Sequence, residues 1–71
     1  MIIKSNYIDY SYNISLAGGI DLSTGLSFYS IYARINNSPS TYYFNNSKDA
    51  LEKYNELEKR MVKQYEKLFR K

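Results

Sequence analysis

The sequence of 71 residues contains no cysteine, no histidine and no tryptophan. Without cysteine, neither a disulfide nor a thiolate metal site can stabilise a chain of this size, which buries only about 60% of the surface its unfolded form exposes. Without histidine, the chain lacks the commonest general base and the commonest metal ligand. These absences favour a non-enzymatic protein with no cofactor, no metal site and no small-molecule substrate.

Long apolar runs are also missing. The N-terminal residues show no basic region followed by an apolar region, as a secretion signal would have. No stretch approaches the ~18–20 apolar residues of a membrane span. We therefore expect a single domain over residues 1–71, located in the cytoplasm and without a membrane partner.

Nine tyrosines and three phenylalanines make the chain 17% aromatic, which favours a packed sheet over disorder. From Ile8 to Leu16 every second residue is apolar, which predicts a strand with one buried face. We then expect a loop at residues 17–25, a strand at 26–35, a turn at 36–40 and a short strand at 41–44. Pro39 favours an edge position for this last strand, because proline cannot donate a ladder hydrogen bond.

The strand predicted at residues 26–35 is apolar on both sides. One side carries Leu26, Phe28 and Tyr32, together with Ser30 and Arg34. The other side carries Tyr29, Ile31, Ala33 and Ile35. This pattern is typical of a central strand that is covered on both faces.

Residues 48–69 contain neither glycine nor proline, and apolar residues recur among them at spacings of three and four. The members of this stripe are Ala50, Leu51, Tyr54, Leu57, Met61, Tyr65, Leu68 and Phe69. The spacing predicts one long amphipathic helix with Asn46 or Ser47 as its N-cap. The predicted fold is α+β: a three-stranded antiparallel meander within residues 2–44, followed by a C-terminal helix over residues 47–70.

One helix can cover only one face of such a sheet, so the second face needs another cover. We expect that cover to be a partner protein, or a second copy of the chain in a homodimer. Tyrosine and arginine are enriched at the energetic centres of protein interfaces. The candidate partner-binding residues are Tyr29, Arg34, Tyr42 and Tyr43.

The last thirteen residues carry a net charge of +5, although the whole chain carries only +3. A basic patch attracts phosphate, and tyrosines on a sheet can stack on single-stranded bases. The candidate phosphate-binding residues are Lys59, Arg60, Lys63, Lys67 and Arg70. The alternative function is therefore a nucleic-acid-binding regulator. A solvated helix end explains the same charges, because cations complement the dipole at a helix C-terminus.

The segment from Tyr42-Tyr43-Phe44 through Ser47–Leu51 leads into a long charged helix, in a chain rich in asparagine, lysine, tyrosine and serine. In this outline the chain resembles small accessory proteins of phages and other mobile elements in AT-rich bacteria. Anti-CRISPR proteins and other anti-defence inhibitors are among them. The resemblance lies in the composition and in the strand-to-helix segment, and it transfers no functional residue. It implies an inhibitor or adaptor that occludes a surface on a larger host protein.

Overall fold

The computed structural model describes residues 1–69, which form four strands and one helix. The elements are β1 (Ile2–Asp9), β2 (Tyr12–Ile20), β3 (Ser27–Ile35), β4 (Ser38–Phe44) and α1 (Ser47–Phe69). The strands follow one another in the order β1-β2-β3-β4, and every neighbouring pair is antiparallel. The α+β class and the C-terminal helix are confirmed, whereas the prediction of three strands is wrong. Residue 70, the predicted last residue of the helix, lies outside the described residues.

The fourth strand arises from a turn inside the segment predicted as one strand, Ile8 to Leu16. The Asp9 Oδ1 atom accepts hydrogen bonds from the backbone N–H groups of Ser11 and Tyr12, at 2.8 and 3.0 Å. The Asn13 side chain donates to the carbonyl oxygens of Asp9 and Tyr10, both at 3.1 Å. Such local bonds compete with strand pairing and favour a turn. Because this turn is two residues long, apolar alternation continues through it and hides it from the sequence pattern.

The loop predicted at residues 17–25 is shorter than expected, because β2 continues through Gly18 and Gly19 to Ile20. An aromatic ring of β3 lies beside each glycine. A Cβ atom built on Gly18 would lie 3.4 Å from the Tyr29 ring, and one built on Gly19 would lie 2.9 Å from the Phe28 ring. Aromatic rings in this position cover the glycine backbone and allow the strand to persist.

The hairpin between β3 and β4 is tighter than the five-residue turn that the sequence suggested. Asn36 and Asn37 have φ values of 54° and 62°, and Ile35 pairs directly with Ser38. Positive φ at both central residues defines a two-residue turn of the type that matches strand twist. As a result β4 begins at Ser38 and includes Pro39. The predicted edge position of this strand is confirmed.

Asn46 is the N-cap of α1. Its Oδ1 atom accepts the backbone N–H of Asp49 at 2.8 Å, and its Nδ2 atom donates to the Asp49 carboxylate at 3.0 Å. The Asn46 side chain thus satisfies an N–H group that the first helical turn leaves unpaired, and the Asp49 carboxylate holds that side chain in place. The N-cap prediction named Asn46 and Ser47, and Asn46 is the residue that caps.

The core lies between α1 and one face of the two central strands, β2 and β3. Its buried members are Tyr12, Ile14, Leu16, Ile31, Ala33, Ala50, Tyr54, Leu57 and Met61. The predicted helical stripe is therefore confirmed at its centre, while Leu51 and Leu68 remain exposed. The prediction that β3 is covered on both faces is not met within one chain, because no other element among residues 1–69 packs on the opposite face.

Candidate protein-binding surface

The side of the sheet opposite α1 is called the open face. Its members are Ile2, Ser5 and Tyr7 of β1, Asn13, Ser15, Ala17 and Gly19 of β2, Phe28, Ser30, Tyr32 and Arg34 of β3, and Pro39, Thr41 and Tyr43 of β4. Four aromatic rings on it meet solvent: Tyr43 is 76% exposed, Tyr7 70%, Phe28 42% and Tyr32 38%. This is a large share of aromatic surface for one face of a small sheet.

Small polar residues separate these rings. Ser5, Ser15, Tyr32 and Thr41 form one cross-strand row, and Ala17, Ser30 and Tyr43 form the next row. Directly opposite residues on neighbouring antiparallel strands lie about 4.5–5.5 Å apart, so the aromatic rings project beyond the short side chains next to them. The open face therefore combines exposed aromatic rings with short, mostly polar side chains.

Arg34 lies on the open face in one fixed position. Its Cζ atom is 4.6 Å from the centroid of the Tyr10 ring, within the range of a cation–π interaction. Its Nε and Nη2 atoms donate to the Tyr32 hydroxyl at 3.3 and 3.1 Å, and its Nη1 atom donates to Asn37 Oδ1 at 3.0 Å. The hydrogen bond to Tyr32 raises the pKa of the Arg34 guanidinium further above its usual value. Arginine is protonated at physiological pH in any case, so the site carries a permanent positive charge.

The four candidate partner-binding residues do not share one surface. Arg34 and Tyr43 lie on the open face, but Tyr29 and Tyr42 lie on the helix side, where both are partly buried against the core. The strand period explains the split: Tyr29 shares the face of Ile31, and Tyr42 pairs with Ile31 across the β3–β4 ladder. The predicted surface is corrected accordingly and keeps only Arg34 and Tyr43.

Other aromatic residues of this surface were not among the partner-binding residues predicted from the sequence. Tyr32 was assigned correctly to the side of Arg34, and Phe28 to the same side, so period-two alternation was a sufficient signal for both. The same rule placed Tyr10 on the buried face of one strand, and this prediction is wrong: Tyr10 lies in the turn after Asp9, is 67% exposed and contacts Arg34. Tyr7 precedes that turn, which the sequence pattern did not reveal.

Among the candidate phosphate-binding residues, Lys59, Lys63 and Lys67 lie on the outer side of α1, whereas Arg60 also borders the cleft between α1 and β4. Lys59, Arg60, Lys63 and Lys67 border one shallow depression and are exposed. The Glu56 carboxylate lies in the same depression, 3.3 Å from Arg60 Nη2. The structure thus brings four of the five predicted cations together beside one carboxylate, and Arg70 lies outside the described residues.

A polar cluster joins α1 to the edge strand β1. The Tyr54 hydroxyl donates to Glu58 Oε2 at 3.2 Å, and Asn6 Nδ2 donates to the same oxygen at 3.4 Å. Lys4 Nζ lies 5.3 Å from the centroid of the Tyr54 ring. Burial, together with the negative charge of Glu58 and its hydrogen bond, raises the pKa of Tyr54 to about 12.

Within the described part of the chain, no three or more acidic side chains come together as a metal site would require. No helix there has both the length and the apolar character needed to cross a bilayer. No protein-family model, curated protein or solved structure matches the chain. The function of the chain is therefore inferred from the geometry of the open face and of the helix surface.

Proposed function

We propose that the chain is a non-enzymatic protein-binding module that holds its partner on the open face. The observation that carries this proposal is the fixed guanidinium of Arg34 among exposed aromatic rings on an uncovered sheet. Arginine and tyrosine are enriched among the residues that dominate binding energy. A side chain that is already held by its neighbours also loses less conformational entropy on binding.

Burial of the aromatic rings would supply the apolar part of the binding energy. A large side chain contributes about 1.5–3 kcal/mol when it moves from full exposure to full burial. Tyr43 and Tyr7 are the most exposed of the open-face rings, and they lie on opposite edge strands. A partner that contacts both must therefore span the width of the sheet.

We also propose that a second copy of the chain can bind the open face. Four strands spaced about 4.8 Å apart and roughly 25 Å long present on the order of 500 Å². A stable interface buries about 800 Å² on each partner. A twofold dimer that used the open face alone would therefore be weak, and light scattering over a range of concentrations would show a gradual change in mass.

The particular role we propose is inhibition of a larger host protein by occlusion of one of its surfaces. The support for this role is the resemblance in composition to anti-defence proteins of phages, together with a binding face that carries no catalytic group. An occluding inhibitor needs only contact area and a fixed polar anchor, and the open face offers both.

Nucleic-acid binding by α1 is the second candidate. It is favoured by the spacing of Lys59, Lys63 and Lys67, which places them on one exposed side of the helix. Binding through these residues would weaken with salt, with a log–log slope of about −0.7 to −0.9 for each phosphate contacted. Binding through the open face would respond little to salt.

Affinity capture from a lysate of the native host, performed with and without nuclease treatment, tests the proposal. The immobilised chain is compared with the open-face double variant Arg34→Ala/Tyr43→Ser and with the helix double variant Lys59→Ala/Lys63→Ala. We expect the open-face variant to recover about tenfold less of the captured protein, and the helix variant to recover as much as the unmodified chain. Capture that depends on the helix pair, or that disappears after nuclease treatment, would support the second candidate instead.

A further inference from the structure

The two edges of the sheet differ in regularity. The pairing of β1 with β2 is interrupted by two register shifts, one between Ile2 and Lys4 and one between Tyr7 and Asp9. The pairing of β4 with β3 runs without interruption from Ser38 to Phe44. Bulges protect an exposed edge against the addition of another strand. By this criterion β1 is protected along its length, whereas β4 is protected only near its start, where Pro39 lacks an outward N–H group.

The two-residue turn before β4 determines the direction of the backbone groups along this strand. Residues in an antiparallel pair alternate between hydrogen-bonded and non-hydrogen-bonded positions. Ile35 and Ser38 close the two-residue turn and form a hydrogen-bonded pair, so Pro39, which has no N–H, occupies a non-hydrogen-bonded position. The same alternation directs the N–H and C=O groups of Thr41 and Tyr43 away from β3, where an added strand could pair with them.

A cleft of about 280 Å³ lies between β4 and α1. Its floor includes Ser38 and Ser40, two short side chains at positions that face the helix. On the opposite edge, longer side chains close the equivalent space: Asn6 bonds to Glu58, and Lys4 covers the Tyr54 ring. The helix side of β4 therefore retains room for the side chains of a neighbouring strand.

The helical wall on the β4 side is lined by cationic groups. Lys53 Nζ lies 5.1 Å from the centroid of the Tyr42 ring, and Arg60 lines the cleft beside Gln64. A single carboxylate, that of Glu56, contacts both cations, at 3.5 Å from Lys53 Nζ and 3.3 Å from Arg60 Nη2. Two cations that share one carboxylate leave a positive charge available to an acidic side chain.

From these observations we propose that β4 binds an extended, acidic segment of a partner protein, which adds to the sheet as a fifth strand. Main-chain hydrogen bonds to Thr41 and Tyr43 would hold the segment, while its alternate side chains enter the cleft below Arg60 and Lys53. Affinity from the backbone and specificity from alternate side chains is the general mode of strand addition. The proposal is independent of the open face, which lies on the other side of the sheet.

The proposal can be tested by selection from a displayed library of random peptides. Each peptide is about ten residues long, which is sufficient for one strand. We expect the full-length chain to enrich peptides with acidic residues at alternate positions. In hydrogen exchange of the complex, the amides of Thr41 and Tyr43 should exchange at least about tenfold more slowly than in the free chain.

Three variants separate strand addition from nonspecific attraction. Thr41→Pro removes one outward N–H group and should lower the affinity for the selected peptide about tenfold. Arg60→Glu reverses a charge at the cleft and should weaken it by a similar factor, even where Thr41→Pro fails to fold. Glu56→Gln removes the competing carboxylate and should strengthen binding severalfold, a gain that a merely structural role for Glu56 would not produce.

Several results would overturn the proposal. The first is that no peptide is enriched. The second is that Thr41→Pro and Arg60→Glu both leave peptide binding unchanged. The third is that Arg34→Ala, on the open face, abolishes peptide binding. A homodimer that forms without peptide and that Thr41→Pro disrupts would show that a second copy occupies this edge instead. A loss caused by Arg34→Ala would move the binding to the open face, and none of the other results bears on capture through that face, so the two proposals fail separately.

Discussion

The Arg34 guanidinium stacks on the Tyr10 ring at 4.6 Å and thereby connects the first hairpin turn to the third strand. Arg34 is the one charged member of the open face. Tyr32 and Asn37 hold the same guanidinium by hydrogen bonds, so three separate segments of the chain position it. This arrangement holds the cation on the open face without any contribution from the helix.

Arg34→Lys should separate charge from geometry on the open face. Lysine keeps the positive charge but lacks the planar fork that stacks on Tyr10 and reaches Tyr32 and Asn37 together. We expect a small decrease in the free energy of unfolding, because lysine cannot contact the Tyr10 ring and bond to Tyr32 and Asn37 at the same time. Urea unfolding measures this change, with Arg60→Lys as the matched control on the helix.

Capture of the partner should respond to Arg34→Lys far more than stability does. We expect roughly tenfold weaker capture, because the orientation of the donors is lost. Capture equal to that of the unmodified chain would show that Arg34 acts only as a point charge.

The β3–β4 turn allows a test of backbone conformation. Asn37 has a φ of 62°, which glycine adopts freely and a β-branched residue adopts only with strain. Asn37→Gly should keep the free energy of unfolding within about 0.5 kcal/mol, whereas Asn37→Val should lower it by about 1–3 kcal/mol. Urea unfolding of the pair measures the difference. Equal stabilities would contradict the assigned turn.

Stability should decrease at alkaline pH because of Tyr54. Its pKa is raised to about 12 by burial and by Glu58, while an unfolded tyrosine titrates near 10. Between these values the folded chain binds more protons than the unfolded chain, so the free energy of unfolding falls as pH rises. The contribution is complete below about pH 10, and on the order of 1 kcal/mol should be lost by about pH 11.

Tyr54→Phe provides the control for this pH dependence. It removes the titrating hydroxyl while the ring remains in the core, so the decline between about pH 10 and pH 12 should become shallower. Urea midpoints measured across that range for both proteins give the comparison. Parallel curves would show that another group is responsible.

The helix and β3 were predictable from sequence because their patterns continue without interruption. Ala50, Tyr54, Leu57 and Met61 recur at helical spacing with no glycine or proline among them, and all four are buried. Asn46 and Asp49 also stand at capping positions that can be recognised in the sequence. Local rules were sufficient for these elements.

The first hairpin and the binding surface required information that local patterns lack. The turn after Asp9 preserves period-two alternation, so the sequence pattern merges two strands into one. The tyrosines posed a different problem, since residue type alone does not distinguish the two sides of a sheet. Tyr42 and Tyr43 are adjacent and equally aromatic, yet one packs beside the helix and the other is 76% exposed.

Hydroxyl-radical footprinting of the free chain and of its captured complex tests the central claim most directly, because it reports which side chains a partner covers. The account predicts that Tyr7, Tyr32 and Tyr43 become protected in the complex while Lys59 and Lys63 keep their reactivity. If the protected residues lie on the outer side of α1, or if Tyr43 stays as reactive as in the free chain, the open face is not the binding surface.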